Sequence, residues 1–538
     1  MTRRTGIGMA ALIVSGGIVL SRVLGLMRDL LIANLLGATS AGDVYFAAFF
    51  IPDLLFYLMA GGYMTITFIP ILARYFVDDD DEGAWRSFAA VVRPVTIIMT
   101  ALTVATIVFA RPLVELLFVN LSDWLPVSDA AKRLTEVQLD EVASLTRVVA
   151  PAQLFFLLGS LLMAVQYARR QFLIPALAPL VYNLSIIVGG LISWIGGSPS
   201  PAGFIYGALA GAIIGNFSIQ VFGARRAGLR WMPATPWRHP ALWEYAVLAL
   251  PLMLGQSIAV LDEQFVRIFG QWAGEGSITQ LGLARRLNML PVGMIAQAAG
   301  VAAYPFLARL FAEGRHSELA TTLRKALQYV VFAGAAATAA VLAASQPAVK
   351  VVFERGEFTT AATIGTAAAL VPYAFSIPVW GAHQLLARGF YARRQMWVPV
   401  ITGTIGTAVG VGLYIWLFDL MGTPGMALAS TLAMTLYTVL MATVWYRRTG
   451  LGELWPLLAS VGRSAVAAGL AATAGWWAVS SVTGDIASSG FWQSLGSLAV
   501  GALVVGVVFV GAAKTMRAPE LEGLRRSRDA TTGMNELN

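Results

Sequence analysis

The chain has 538 residues, of which 57% are hydrophobic and only 12% are charged, and its formal net charge is +8. A soluble domain carries about 25% charged residues, so this composition excludes a water-soluble globular protein. The chain has no cysteine and three histidines that lie far apart in the sequence, so we expect neither disulfides nor a metal site. Basic loops of a membrane protein account for the positive charge, and nucleic acid is not an expected partner.

Apolar runs recur along the whole chain, and each is long enough to cross a hydrocarbon layer of roughly 30 Å as a helix. Helices are expected because a helix satisfies its own backbone hydrogen bonds where water is absent. We therefore predict an all-α integral membrane protein with about fourteen transmembrane helices. The predicted spans are 8–36, 42–74, 86–110, 141–167, 172–196, 201–223, 241–269, 278–310, 318–344, 361–388, 396–418, 423–446, 457–480 and 491–513.

The charges of the loops predict the orientation of these spans. Basic residues cluster at alternate helix ends, from Arg3 and Arg4 to Arg525, Arg526 and Arg528, whereas the opposite loops are nearly uncharged or acidic. By the positive-inside rule, both termini are predicted to lie in the cytoplasm. The first apolar stretch lacks a small-residue cleavage site, so we expect a retained helix and not a signal peptide.

Three short motifs occur twice in the same order. The segments that begin at Pro70 and Pro112 recur 235 residues later, and the segment that begins at Tyr167 recurs 224 residues later. Six helices separate the equivalent points, so we predict a parallel repeat of two six-helix lobes, and such symmetry favours transport over catalysis or anchoring. The predicted divisions are an N-terminal lobe at 1–223, a C-terminal lobe at 224–450, two further helices at 451–514 and a cytoplasmic tail at 515–538.

Charged residues inside predicted spans mark a candidate binding site, because each costs roughly 2.5 to 3.5 kcal/mol at the bilayer centre. We expect Arg22, Arg28 and Arg286 to bind phosphate oxygens, since a guanidinium offers a planar fork of donors, with Asp43 orienting one of them. Arg285 is a further candidate ligand. The alternative is ion pairing within the membrane, or extension of the side chains of Arg28 and of Arg267 toward the interface.

Asp262 and Glu263 are candidates for binding a coupling cation or proton. No organic cofactor is expected. The sequence shows no nucleotide-binding glycine-rich loop, paired catalytic carboxylates or nucleophile arrangement, so an enzyme is not predicted. Transport would then draw on the membrane potential or on an ion gradient.

Several longer motifs resemble the MurJ (MviN) lipid II flippase family. In the first half these are Ser21-Arg-Val-Leu-Gly-Leu-Met-Arg28-Asp29, Gly37-Ala with Asp43, Ile51-Pro-Asp-Leu-Leu55 and Phe68-Ile-Pro-Ile-Leu72. In the second half they are Ala284-Arg-Arg-Leu287, Leu290-Pro-Val-Gly293, Phe353-Glu-Arg-Gly-Glu-Phe-Thr359 and Leu386-Ala-Arg-Gly-Phe-Tyr-Ala-Arg393. The resemblance covers about residues 5–450.

The resemblance implies a fold of the multidrug/oligosaccharidyl-lipid/polysaccharide (MOP) exporter superfamily. It implies that the chain moves an undecaprenyl-diphosphate-linked peptidoglycan precursor from the cytoplasmic to the periplasmic leaflet. It places Arg22, Arg28, Asp43 and Arg286 at a central cavity, and makes the last two helices a groove for the lipid tail. Membrane lipids are expected partners; we expect a monomer, with cell-wall synthesis proteins as candidate associates.

The sequence departs from the family pattern on the second predicted helix, where Phe56-Tyr57 and Ala60-Gly61-Gly62 replace an arginine pair and Ala-Glu-Gly. Arg285 replaces a common acidic residue, and Gln384 replaces a common lysine. These changes leave open a flippase for another polyprenyl-diphosphate oligosaccharide, and a scaffold that recruits cell-wall enzymes without transport. A multidrug antiporter of the same superfamily is a third alternative.

Overall fold

The computed structural model describes residues 7–59, 63–126, 132–232, 239–450 and 454–521. The described residues form helices and connecting turns, with no strand among them. They divide into two compact units, the first comprising residues up to Thr279 together with Arg355–Thr359, and the second comprising Gln280–Glu354 and the chain from Thr360 onward. Part of the predicted tail, 522–538, and the predicted motif at Ala60–Gly62 lie outside the described residues.

The first unit contains twelve α-helices among its described residues. They are α1 (Ile7–Leu36), α2 (Ser40–Ala48), α3 (Phe50–Met59), α4 (Tyr63–Val77), α5 (Asp81–Val108), α6 (Ala110–Glu115), α7 (Leu121–Trp124), α8 (Glu136–Ala168), α9 (Leu173–Ile195), α10 (Pro201–Gly211), α11 (Ile219–Arg226) and α12 (Pro240–Gly270). Two π-helical turns, Leu116–Asn120 and Ala212–Ser218, join α6 to α7 and α10 to α11.

Eight further helices follow among the described residues. They are α13 (Ser277–Ala312), α14 (His316–Phe353), α15 (Thr360–Ala374), α16 (Ser376–Ala392), α17 (Trp397–Met421), α18 (Thr423–Thr449), α19 (Leu454–Thr483) and α20 (Phe491–Thr515). These helices belong to the second unit, except for the first turn of α13. In this unit α19 and α20 pack on α14 through small residues, and a Cβ on Gly475 would come within 2.5 Å of Val505. Small residues of this kind let membrane helices approach closely.

The predicted all-α membrane fold is confirmed, but the count of fourteen spans is not. Ten helices among the described residues have the length and apolar composition needed to cross a membrane, and α15 with α16 makes an eleventh if this bent pair is one span. The described residues of the predicted span 42–74 belong to three helices, α2, α3 and α4. Large apolar side chains are exposed on many of these helices, as expected where lipid is the solvent.

The bend of 45° between α15 and α16 has an identifiable cause. Pro378 has no backbone N–H and cannot donate to the carbonyl of Ala374, four residues earlier. The hydroxyl of Thr338 on α14 donates to that carbonyl instead, at 2.8 Å. The break is therefore stabilised by a neighbouring helix, as the apolar environment requires.

The two copies of the internal repeat also share the same backbone hydrogen bond where their helices end. The N–H of Asp80 donates to the carbonyl of Tyr75 at 2.9 Å and, 235 residues later, the N–H of Arg315 donates to the carbonyl of Leu310 at 2.9 Å. In both turns the residue before the donor has positive φ, 53° and 73°. The two segments thus close their helices in the same way.

The two copies of the Tyr-Ala-Arg-Arg-Gln motif end α8 and α16 with the same backbone geometry. The N–H of Gln171 donates to the carbonyl of Gln166 at 2.8 Å, and that of Gln395 to the carbonyl of Phe390 at 2.9 Å. The second arginine of each motif has φ of 58°. A hydrogen bond from an N–H to the carbonyl five residues earlier, with a residue of left-handed conformation just before the donor, is a recurrent way to end a helix.

Candidate functional site

Arg28 lies on α1 and is held by two neighbours. Its Nη2 lies 2.9 Å from Oδ1 of Asp29, and its Nη1 donates to Oδ1 of Asn183 on α9 at 2.9 Å. The Asn183 amide also donates to the carbonyl of Pro179 at 2.9 Å, which fixes its orientation. The Arg28 side chain is 19% exposed. The guanidinium is therefore oriented but still accessible.

Arg22 lies on α1 six residues before Arg28, about 9 Å along the helix axis. It is half-buried, and no hydrogen bond or ion pair joins it to another of the described residues. A buried cation without a counter-ion is costly in a medium of low polarity, so this side chain is suited to an anion supplied from outside the chain.

Asp43 on α2 binds the beginning of α13. Its carboxylate accepts from the N–H of Gly276 at 2.7 Å and from the N–H and the hydroxyl of Thr279, both at 2.8 Å. Asp43 is 1% exposed, and a Cβ on Gly42 would come within 2.6 Å of the Thr279 hydroxyl. These contacts are with α13 and not with a candidate arginine. Asp43 thus accepts from one free N–H of the first turn of α13, that of Thr279, and from the N–H of the residue just before the helix.

Arg267 on α12 is an ion-paired residue. Its Nη1 lies 2.8 Å from Asp53 on α3, and its Nη2 lies 3.3 Å from Glu263. The Arg267 side chain is 11% exposed. Arg267 therefore fits the alternative stated from the sequence, ion pairing within the membrane, and not substrate binding. Glu263, a candidate for ion coupling, is part of the same cluster, while Asp262 is half-buried beside it in the chain.

Arg285 and Arg286 lie on α13, and successive residues of a helix point about 100° apart. Arg285 is buried within the second unit, where its Nη1 contacts the Ser430 hydroxyl at 3.3 Å and its guanidinium lies 5.9 Å from the Trp380 ring centre. Arg286 is half-buried. The adjacent arginines therefore have different surroundings.

The motif Phe353 to Thr359 is explained by a backbone contact within the first unit. The N–H of Glu357 donates to the carbonyl of Asn34, near the end of α1, at 2.9 Å. Gly37 has φ of 65°, and a Cβ there would lie 2.6 Å from the Glu357 carbonyl oxygen. Gly356 has φ of 56°, and a Cβ there would lie 2.2 Å from the side-chain oxygen of Asn34. Both positions require glycine.

Sequence analysis missed Asn183 as a partner of Arg28. The signal was an amide side chain within the apolar span 172–196, because polar residues in membrane helices are usually hydrogen-bonded to a neighbouring helix. Asn288 on α13 is similar, and its amide donates to the Ser376 hydroxyl at 2.9 Å.

Comparison with known proteins gives consistent matches over most of the chain. Residues 32–493 match the family described as lipid II flippase MurJ. A probable lipid II flippase MurJ of Vibrio cholerae serotype O1 is 26% identical over 433 residues, which cover 79% of this chain and 80% of the relative. The match confirms the resemblance drawn from the motifs.

Two solved structures share the fold. A lipid II flippase MurJ in an inward closed conformation has a TM-score of 0.72 at 21% identity, covering 94% of this chain and 99% of that one. An inward-facing multidrug resistance MATE family transporter of the MOP superfamily has a TM-score of 0.65 at 16% identity, covering 82% and 97%. The fold expected from the resemblance is therefore confirmed. Because the family match spans most of its length, the chain belongs to the lipid II flippase MurJ family.

Proposed function

We propose that this chain moves lipid II, the undecaprenyl-diphosphate-linked peptidoglycan precursor, from the cytoplasmic to the periplasmic leaflet of the bacterial inner membrane. Membership of the family supports the proposal. The observation that carries it is the pair Arg22 and Arg28 on α1, one cation without a partner among the described residues and one oriented by two neighbours.

The two arginines differ in how many N–H donors they have free for the substrate. A guanidinium has five N–H donors, and Arg28 uses three of its own on Asp29 and Asn183, so two are left for phosphate oxygens. Arg22 keeps its full set. A diphosphate offers several charged acceptors, and Arg–phosphate bonds are stronger than those between neutral groups.

The remaining candidates act in different ways. Arg286 is the third proposed phosphate ligand. Arg285, held by Ser430 and Trp380, is a weaker candidate for direct contact because its donors face protein. Asp43 supports the site through the start of α13 and does not itself touch the anionic substrate.

Several finer points belong to the proposal. Both termini lie in the cytoplasm, and transport proceeds by alternating access in a monomer that associates with cell-wall synthesis proteins. The exposed apolar side chains of α19 and α20, such as Trp477, Leu503 and Val507, would line a groove for the lipid tail. Energy comes from the membrane potential, at roughly 2.3 kcal/mol per charge per 100 mV, or from a cation bound at Asp262 and Glu263.

Complementation of a bacterium depleted of its own lipid II flippase tests the proposal. The wild-type chain should restore growth, Arg22→Gln should not, and Arg22→Lys should restore it in part because it keeps the charge without the fork. Lys514→Gln, an exposed charge loss at the end of α20, is the matched control and should restore growth fully. Failure of the wild-type chain at normal membrane abundance would contradict the proposal.

A flippase for another polyprenyl-diphosphate oligosaccharide is the second candidate. Phe56 and Tyr57 stand where the family has arginines, and Phe56 packs edge-on against Phe156 with ring centres 5.8 Å apart. An apolar wall there favours a different headgroup. Binding of several lipid-linked sugars to the purified protein would separate the candidates, since lipid II should bind most tightly under the first proposal.

The multidrug antiporter and the scaffold are tested by other results. Export of cationic dyes, with no effect of lipid II, would favour the antiporter. Normal growth of a strain carrying Arg28→Ala together with Arg286→Ala would favour the scaffold, because a transporter of diphosphates needs its cations.

A further inference from the structure

A cavity of about 440 Å³ with charged side chains in its wall lies in the second unit, where α14 and α19 begin and the chain leaves α20. Its wall carries three cations, Arg324, Lys325 and Arg463, and one carboxylate, Glu520. None of these four residues belongs to the proposed transport site. The cavity is therefore a separate feature with a positive balance of charge.

Two of the cations have no counter-ion among the described residues. Neither Lys325 nor Arg463 makes a hydrogen bond or an ion pair there, and the Nε of Arg463 is buried without an acceptor. Buried polar groups in folded proteins nearly always have a partner, so an unpaired guanidinium nitrogen at a cavity wall calls for an acceptor from outside the chain.

The carboxylate of Glu520 does not supply that acceptor. Glu520 is 3% exposed and accepts from the hydroxyl of Ser460, one turn before Arg463 on α19. Arg324 is held in the wall, because its Nη1 donates to Gln328 at 3.0 Å and Gln328 donates to the Pro456 carbonyl at 3.0 Å. The first turn of α19 adds the positive end of its helix dipole.

The surroundings place the cavity at the level of lipid headgroups. Arg324 and Arg463 lie eight and nine residues after the starts of α14 and α19, about 12 to 14 Å along each helix. Trp455 is 74% exposed, Leu458 is 50% exposed and Tyr329 is 39% exposed beside it. Aromatic side chains next to apolar ones mark the membrane–water interface.

We propose that this cavity binds the phosphate of an anionic glycerophospholipid from the cytoplasmic leaflet, with phosphatidylglycerol as the simplest example. Basic pockets between helices on the cytoplasmic side bind phosphorylated headgroups. Arg463 and Lys325 contact the phosphate oxygens, while the acyl chains lie along the exposed apolar side chains of α19. The bound lipid joins the beginnings of α14 and α19 to the end of α20.

Native mass spectrometry of the purified full-length protein, titrated with phosphatidylglycerol, measures this binding. We expect one tightly bound lipid in the wild type, binding about five-fold weaker in Lys325→Gln or in Arg463→Gln, and about 25-fold weaker in the double variant. Lys514→Gln removes a charge at the same end of α20 outside the cavity wall and should bind as the wild type does. Phosphatidylcholine should bind at least five-fold less tightly.

Three results would overturn the proposal. Equal affinities in wild type and the Lys325→Gln variant, whose exposed side chain leaves folding intact, would show that the cavity holds no lipid phosphate. Equal weakening in Lys514→Gln would show nonspecific attraction to the charged surface. Displacement of phosphatidylglycerol by millimolar inorganic phosphate would show an ion site and not a lipid site.

Discussion

Asp43→Ala should destabilise the protein by about 3 kcal/mol. The carboxylate is 1% exposed and accepts three hydrogen bonds of 2.7 to 2.8 Å from Gly276 and Thr279. A hydrogen bond to a charged group contributes roughly 1.5 to 3 kcal/mol, and loss of a helix N-cap costs roughly 0.5 to 2 kcal/mol. The full sum is not expected, because burial of the carboxylate itself costs free energy.

Two further variants should lower the stability by smaller amounts. Asp43→Asn should cost about 1 to 2 kcal/mol, because the amide oxygen can accept from Thr279 but the amide NH₂ group then opposes the N–H of Gly276. Thr279→Val removes one hydroxyl donor and should cost about 1 kcal/mol. In the double variant Asp43→Ala with Thr279→Val, the two costs should not add, since both residues share one network.

Reversible unfolding in mixed detergent, with increasing dodecyl sulfate, measures these differences. Glu275→Ala is the matched control, because this exposed carboxylate accepts a single hydrogen bond from Ser40 in the same loop and should cost under about 1 kcal/mol. The reasoning is refuted if Asp43→Ala is no less stable than Glu275→Ala, or if the two costs in the double variant simply add.

Three further outcomes are expected. Gly37→Ala should lower the unfolding midpoint, with a cost of at least about 1 kcal/mol, because φ is 65° and a carbonyl oxygen lies 2.6 Å from the new Cβ. Asn183→Leu should leave Arg28 with its Asp29 contact alone and slow lipid II transport about ten-fold at unchanged abundance, equivalent to about 1.4 kcal/mol; unchanged transport would contradict this role. Asp53→Asn should lower stability by about 1 kcal/mol as Arg267 loses its closest counter-charge, and the loss should be absent in an Arg267→Met background.

The fold class could be predicted because the solvent of this chain is lipid, which imposes long apolar helices. Breaks in those helices could not be predicted. The bend before Ser376 is stabilised by the hydroxyl of Thr338 on another helix. This hydroxyl donates to the carbonyl that the missing N–H of Pro378 leaves without a donor. The repeat was visible in the sequence because its turns demand particular backbone geometry, as the shared φ of Arg170 and Arg394 illustrates.

The charged residues of the site could be found from the sequence, but not their partners. An arginine in an apolar span is conspicuous, whereas the choice between substrate and counter-ion depends on packing between distant segments. Arg267 contacts Asp53, from which it is separated by 214 positions in the sequence, and Asp43 contacts Gly276 at a separation of 233 positions. The sequence gives no measure of such distances, so Asp43 was interpreted as a companion of the arginines and not as a partner of α13.

Transport by purified protein in liposomes tests the central claim most directly. Lipid II with a fluorescent headgroup is placed in both leaflets, and a membrane-impermeant quencher reports the fraction that reaches the outer leaflet. We predict rapid loss of the protected fraction with the wild-type protein, at least ten-fold slower loss with Arg22→Gln, and wild-type rates with Lys514→Gln. Equal rates for wild type and Arg22→Gln, or no movement above empty liposomes, would contradict the account.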